Sequence, residues 1–400
     1  VRLSLADTVA LAVRDNKDVL LQGAQVEKAA ALLAQARSAR NPQLAVQGRW
    51  ETTRELYAKS IPSVSGQASL TQTLYQGGAI VAAIRQAESD IVVEEAVLEG
   101  RKLDTVLAAQ KGFLTLLLAR KLSELNKDIL ENSVQHEAII RAKYSKGEAA
   151  QSDVLNARAQ RAATEDAYLE SLTQVDASRA ALNRLLSLDP SVRVVPDGTF
   201  EYDPRALAYD EAFAKAITAR PEVRENEARV KSQQQAVARA RSGSQPAVSA
   251  SWDYYSRSRN SLGFSPTKGW NDFNVLGLTV SWPVFDGWQT RARVEQETVA
   301  LRQSELAREK VRQDIALEVR QAHLAVIAAA GSIRASEADI VRYRENLAVA
   351  QEKFRLGQVS RVALDDAQLK YVISVFNREQ AIFEYLIAKS TLERAAGGTS

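Results

Sequence analysis

Two kinds of hydrophobic spacing alternate along this chain. In one, apolar or small positions step by four and three. Leu103, Leu107, Gln110, Leu114 and Leu117 keep this rhythm, as do Leu118, Leu122, Leu125 and Ile129, and later Ile315, Val319, Ala322, Val326, Ala329 and Ile333. This is helical spacing of the coiled-coil kind, with alanines that permit close helix approach. In the other, polarity changes at nearly every residue. Leu44, Val46, Gly48, Trp50 and Thr52 alternate with Gln43, Ala45, Gln47, Arg49 and Glu51. Val248, Ala250, Trp252 and Tyr254 alternate with Ser249, Ser251, Asp253 and Tyr255, and Leu276, Leu278, Val280, Trp282 and Val284 form a third set. The segment 67–75 alternates less cleanly, because Gln72 interrupts Leu70 and Leu74. Alternation over about ten residues predicts strands, and about ten residues is also what one tilted membrane-crossing strand needs.

The pattern is written twice. Gly147 in Lys-Tyr-Ser-Lys-Gly has a counterpart 210 positions later, Gly357 in Lys-Phe-Arg-Leu-Gly. The same offset takes Tyr75-Gln-Gly to Phe285-Asp-Gly and Asn156-Ala157 to Asp366-Ala367. Near the front the offset is 204, from Asn41-Pro42 to Gln245-Pro246. Proline is absent from 63–189 and 284–400, and both intervals are rich in strong helix formers. The chain therefore divides into a first repeat, 1–205, and a second, 206–400. The first carries a helix over 4–40, strands at about 43–52 and 67–75, a long helix 78–143, a Gly-marked tip, a returning helix 151–187 and a linker. The second carries a helix over 206–242 broken at Arg220-Pro221, strands at about 246–256 and 273–284, a long helix 288–353, a tip and a returning helix 361–395. Each long helix covers about 65 residues, roughly 100 Å.

Composition narrows the function. A net charge of +3 without a dense basic block gives nucleic acid no electrostatic footprint. The absence of cysteine removes disulfides, thiolate metal sites, cysteine nucleophiles and a lipid-anchored cysteine; Val1, with no initiating Met, reads as a processed end. No run of eighteen apolar residues predicts a transmembrane helix, whereas a β-barrel leaves too weak a signal to be excluded. His136 and His323 are isolated within helical patterns, and neither a phosphate loop nor a nucleophile elbow occurs, so no catalytic site, cofactor or metal is expected. The many Glu and Arg of the helices read as solvated or intersubunit faces.

All five tryptophans, Trp50, Trp252, Trp270, Trp282 and Trp288, lie in or beside the alternating segments, as aromatic girdles at a membrane interface would. Two β-hairpins capping a helical bundle would also account for them. If the strands span lipid, four per chain cannot close a barrel, because open edges do not exist in lipid. An oligomer sharing one barrel is then required. The loops at about 53–66 and 257–272 are long and polar enough to be exposed.

In these features the chain resembles the outer-membrane efflux proteins, the TolC family of exit ducts. The resemblance rests on the duplicated order of elements and on two tips: Tyr144-Ser-Lys-Gly147 followed by 152–160, and Phe354-Arg-Leu-Gly357 followed by 363–368. The corners 74–78 and 284–288 also resemble the family's. The resemblance implies a mainly α protein with a membrane β-barrel portion, a homotrimer with a twelve-stranded barrel and an α-helical periplasmic tunnel. It implies a passive duct in the outer membrane of a Gram-negative bacterium, carrying drugs, metal ions or polypeptides from an inner-membrane pump through a periplasmic adaptor (membrane fusion protein). It assigns Asp153, Asp365 and Asp366 to the periplasmic gate, where converging carboxylates favour cations. Capping or solvating the returning helices is the plainer role for the same aspartates. Lys143, Tyr144, Gly147, Lys353, Phe354 and Gly357 fall at the adaptor-docking tips. Where family members hold the gate with a tyrosine and an arginine, this chain has Phe354 and Val359; Arg361 lies two residues on. A periplasmic coiled-coil scaffold or adaptor with small β-caps is the competing architecture, and a pore-forming toxin a third.

Overall fold

The computed structural model of the chain describes residues 1–53, 61–200, 202–203, 208–259 and 270–398, without the side chains of Thr53, Ile61, Pro62, Arg259 and Arg361. Of the two expected loops, 54–60 and 260–269 lie outside these residues; the remainder is strand. In chain order the elements are β1 (Arg2–Leu3), α1 (Leu5–Asp15), α2 (Lys17–Ser38), β2 (Gln43–Thr53), β3 (Ile61–Gln76), α3 (Ala79–Ser145) and α4 (Gln151–Leu185). There follow β4 (Val195–Pro196), α5 (Tyr209–Ala219), α6 (Pro221–Arg241), β5 (Ala247–Arg259), β6 (Trp270–Ser281), α7 (Gln289–Arg355) and α8 (Arg361–Ala395). These fall into two compact units, one of 1–23, 97–223 and 312–400, the other of 24–96 and 224–311. Each unit takes elements from both halves of the sequence.

The first unit is helical, and its burial repeats with the sequence offset. Thr105, Ala109, Leu116 and Ala119 of α3 are buried, and so are Ile315, Val319, Val326 and Ala329 of α7, 210 positions on. Ser171, Val175, Ser178 and Leu182 of α4 correspond in the same way to Ala381, Tyr385, Ala388 and Leu392 of α8. At the front, Thr8, Ala12 and Asn16 match Ala212, Ala216 and Arg220 at the 204 offset. Small residues at these positions let the long helices approach closely over apolar stripes.

Three features of this unit depart from the sequence expectation. The helix expected over 4–40 breaks at Asn16, whose Oδ1 accepts from the N–H groups of Asp18 (2.9 Å) and Val19 (3.4 Å) and so caps α2. Its Nδ2 donates to the Leu185 carbonyl at 2.9 Å. The strands β1 and β4 pair in parallel, Arg2 opposite Val195 and Leu3 opposite Pro196, and are too short to show alternation. Finally, Glu137, Arg220 and Arg394 are buried or nearly so rather than solvated, each in an ion pair.

The second unit holds a four-stranded antiparallel sheet in the order β2-β3-β5-β6. Its register sorts the two faces. Leu44, Leu70, Trp252 and Leu276 align in one row and Trp50, Val64, Ser258 and Trp270 in another, all on the same face. The opposite face carries the row Gln47, Gln67, Tyr255 and Phe273 and the row Thr71, Ser251 and Gly277. There the Gln67 amide donates to Asp253 (3.2 Å) and to the Tyr255 hydroxyl (3.1 Å). The weak alternation of 67–75 has a local cause: β3 bulges between Thr73 and Tyr75. Gln72, on the apolar face, turns its amide to the Arg40 carbonyl at 2.7 Å.

Candidate gate, tips and aromatic margins

The two tips share one backbone device. After α3, Gly147 N–H bonds the Tyr144 carbonyl (2.9 Å) and Glu148 N–H the Lys143 carbonyl (2.9 Å). After α7, Gly357 N–H bonds Phe354 (3.0 Å) and Gln358 N–H bonds Lys353 (2.8 Å). Both are Schellman caps, which need a left-handed residue; φ is 76° at Gly147 and 70° at Gly357. Lys143, Tyr144, Lys353 and Phe354 therefore each supply a carbonyl that closes the turn, while their side chains remain exposed.

The returning helices begin differently. Asp153 is the third residue of α4, and its Oδ2 accepts from the Ala150 N–H at 3.0 Å, a capping contact. On α8 the cap is Ser360, whose Oγ accepts from the Ala363 N–H at 3.3 Å. Arg361 is the first residue of α8. Asp366 lies one turn further in and pairs with Lys370 four residues on, at 2.7 Å, both exposed. This contact raises the Lys370 ammonium above its ordinary value. Asp365 lines a cleft of about 220 Å³ with Ile129 and His136 of α3, Gln160 of α4 and Leu369 of α8. Counted by the 210 offset, Asp153 answers to Ala363 and Asp366 to Asn156, so the acidic positions are staggered by three residues along the returning helices.

The tryptophans occupy the apolar face of the sheet and its margin. Trp50 and Trp270 share a row, whereas Trp282 lies just past β6 and donates Nε1 to the Ser244 carbonyl at 3.2 Å. Trp288 starts the corner into α7 with φ 69°, in the position held by Gly78 in the other corner, and packs edge-on to Phe285. Trp252 stands opposite Leu276, midway between the Trp270 and Trp282 levels. Between those levels the exposed face carries Leu44, Val46, Leu276, Leu278 and Val280, with Asp272 and Asn274 on the same face of β6 next to the Trp270 level. No helix among the described residues is long and apolar enough to cross a membrane, and no group of three or more metal-ligating side chains occurs among them.

The chain combines an exposed apolar sheet face with two long helices of 67 residues and two of 35. The profile of the outer membrane efflux protein family matches residues 9–187 and 213–398, and the chain belongs to that family. It is an outer-membrane efflux channel with a helical tunnel on the periplasmic side. Such channels are passive and work with an adaptor and an inner-membrane pump. No curated protein matches it in sequence. Among solved structures, the outer membrane channel CmeC of Campylobacter jejuni is similar over 98% of this chain and 85% of its own, with 18% identity and TM-score 0.83. The open state of the MtrE channel of Neisseria gonorrhoeae covers 98% of this chain and 89% of its own, at 16% identity and TM-score 0.82. CusC covers 99% and 92%, at 17% and 0.81.

Proposed function

We propose that three copies of this chain close a twelve-stranded barrel in outer-membrane lipid and continue it as a helical tunnel, through which cargo passes without being chemically changed. One observation carries the reading: the sheet exposes an apolar patch at Leu44, Val46, Leu276, Leu278 and Val280 and ends in two edge strands, β2 and β6. Neither edge is tolerable in lipid unless another copy pairs with it. The twelve steps from Trp270 to Trp282, at about 3.3 Å each and a tilt of about 45°, rise roughly 28 Å, close to the apolar band of such barrels, with Asp272 and Asn274 confined to the Trp270 end. Trp50 and Trp270 then belong to one interface, Trp282 and Trp288 to the other, and Trp252 to the band between.

In this reading the chain is a duplication, 1–205 and 206–400. The two Schellman tips receive the adaptor through Lys143, Tyr144, Gly147, Lys353, Phe354 and Gly357. The starts of α4 and α8 form the gate, with Phe354 and Arg361 beside it. Asp366 and Asp365 line the constriction, and Asp153, already engaged as a cap, contributes less. Because Lys370 pairs with Asp366, removing the carboxylate leaves an unmatched cation in the pore, and ion preference swings toward anions.

Single-channel conductance in planar bilayers tests this, wild type against Asp366→Ala. Stable pores whose cation preference falls in the variant are expected. Pores indifferent to the change would remove Asp366 from the constriction, and a chain that never inserts would refute the duct.

A further inference from the structure

In the helical unit one closed set of charges joins distant parts of the chain. Arg394, in the last turn of α8, donates Nε to Asp104 of α3 at 2.8 Å and Nη2 to Glu222, in the first turn of α6, at 2.7 Å. Arg220 holds the same Glu222 (3.0 Å) and Glu318 of α7 (2.6 Å). Burial pushes the Glu222 carboxyl up, but the Arg220 hydrogen bond and the Arg394 charge outweigh it and hold it at about 2. Nearby on α3, Phe113, Leu114 and Leu117 are covered by Phe383, Leu386 and Ile387 of α8.

The central triad of this set recurs at the repeat offsets. Arg394 answers to Arg184 in the last turn of α4, and Asp104 to Asp314 on α7, both 210 apart. Glu222 answers to Asp18, which like it is the second residue of its helix, 204 apart. The signs and places match, yet Asp18, Arg184 and Asp314 are all exposed, and among the described residues none is in an ion pair. The apolar stripe is repeated and left bare in the same way. Leu114 is 5% exposed and Leu324 49%; Leu117 is 6% exposed and Ile327 54%. Where α3 and α8 carry the Lys121–Glu379 pair, the corresponding residues are Gly331 and an exposed Leu169. Within the chain, α8 covers this stripe of α3; its twin on α7 stays open.

We propose that α4 of a neighbouring copy covers α7, pairing Arg184 of one protomer with Asp314 of the next and burying Leu324 and Ile327. The inference rests on the oligomeric reading above and adds its register. Charge complementarity and the within-chain contact, which serves as a template, single out a second copy as the partner. The two surfaces differ, α4 on one side and α7 on the other, so the contact is head-to-tail and repeats until the rotation closes a ring. Contacts within chains and between chains then alternate around it.

The chain contains no cysteine, so introduced pairs are unique. The full chain carrying Arg184→Cys and Asp314→Cys is extracted in mild detergent, weighed by native mass spectrometry, treated with a short bis-maleimide and run on a denaturing gel. A three-chain particle giving covalent dimers and closed trimers is expected, whereas an Asp104→Cys, Arg394→Cys control links within one chain and runs as a monomer. A three-chain particle that still yields only monomers overturns the α4–α7 register and leaves the ring reading intact. A one-chain particle overturns the ring reading itself. As a second arm, R184D should lower the trimer fraction surviving mild detergent about tenfold and R184D/D314R should restore it. Failure to restore it in a three-chain particle also counts against the pair.

Discussion

The two helix pairs turn on the same backbone and are held by different side chains. Both tips are Schellman caps closed by a left-handed glycine. Ten residues before Gly147, however, the buried Glu137 of α3 lies 2.7 Å from Arg141 and 3.4 Å from Arg161 of α4, and the hydroxyls of Ser133 and Thr164 meet at 2.9 Å. At the corresponding positions of α7 and α8 stand Leu347, Gln351 and Tyr371, which carry no charge. There the pair Arg378–Glu337, at 3.7 Å, lies twenty residues back from Gly357. The turn motif sets the geometry of a tip, and the side chains behind it set how firmly the two helices are joined. The α3–α4 pair carries an ionic link that the corresponding positions of α7 and α8 do not repeat, and on that ground the α7–α8 tip is expected to yield first.

The largest effect is expected from Glu137→Ala. It removes the buried carboxylate that links α3 to α4, leaving Arg141 and Arg161 partly solvated, and should cost about 2 kcal/mol in thermal or denaturant unfolding. Leu347→Ala, its counterpart, should cost about 1 kcal/mol, because that side chain is only half-buried. Equal costs would dissolve the contrast.

Next comes acid. Glu222 is held at about 2, against 4.5 for an ordinary glutamate, so its folded-state pKa is depressed. Its stabilising contribution is therefore complete above the unfolded value and is lost as pH falls from about 4.5 toward 2. Glu222→Gln should flatten the acid limb of a stability-versus-pH curve by roughly 2 kcal/mol while leaving its shape near neutrality unchanged. An unaltered acid limb would mean that the Arg220–Glu222–Arg394 set does not hold this end of the helical unit.

Smaller and matched effects are expected where the tips agree. A Cβ at Gly147 or Gly357 would meet nothing within 4 Å, so Gly→Ala costs only the left-handed backbone, about 1 kcal/mol at each tip. Markedly unequal costs would show that the turns are not equivalent. Smallest is Ser187→Gly. Ser187 closes α4 at φ 55° where α8 has Gly397, and relieving it should stabilise the protein by about 0.5 kcal/mol in the same unfolding assay.

Much of this fold was legible because its elements are long and periodic. The 4-3 rhythm around Ile315 and Val319 marks the buried stripe of α7, and the alternation at 44–52 and 276–282 marks strands with one apolar face. Irregular and short-range features were not legible. Asn16 breaks a helix by side-chain capping rather than by proline, and a bulge at Leu74 shifts the phase of β3. The buried charges hid for a different reason: one Glu on a helix reads as solvated until a second helix covers it and adds an arginine. At the candidate gate, the spacing of Gly147 and Gly357 located both turns and put Asp153 and Asp366 at the starts of α4 and α8. The Asp366–Lys370 pair is legible from its i,i+4 spacing, whereas the Asp365 cleft needs three helices to exist.

Amide hydrogen exchange of the intact channel, resolved by mass spectrometry over 152–165 and 362–375, compares the two returning helices at matched positions. We expect slower exchange in the first segment, with Glu137→Ala erasing the difference. Equal protection in the wild-type protein, or slower exchange in 362–375, would contradict a pinned first tip and a yielding second one.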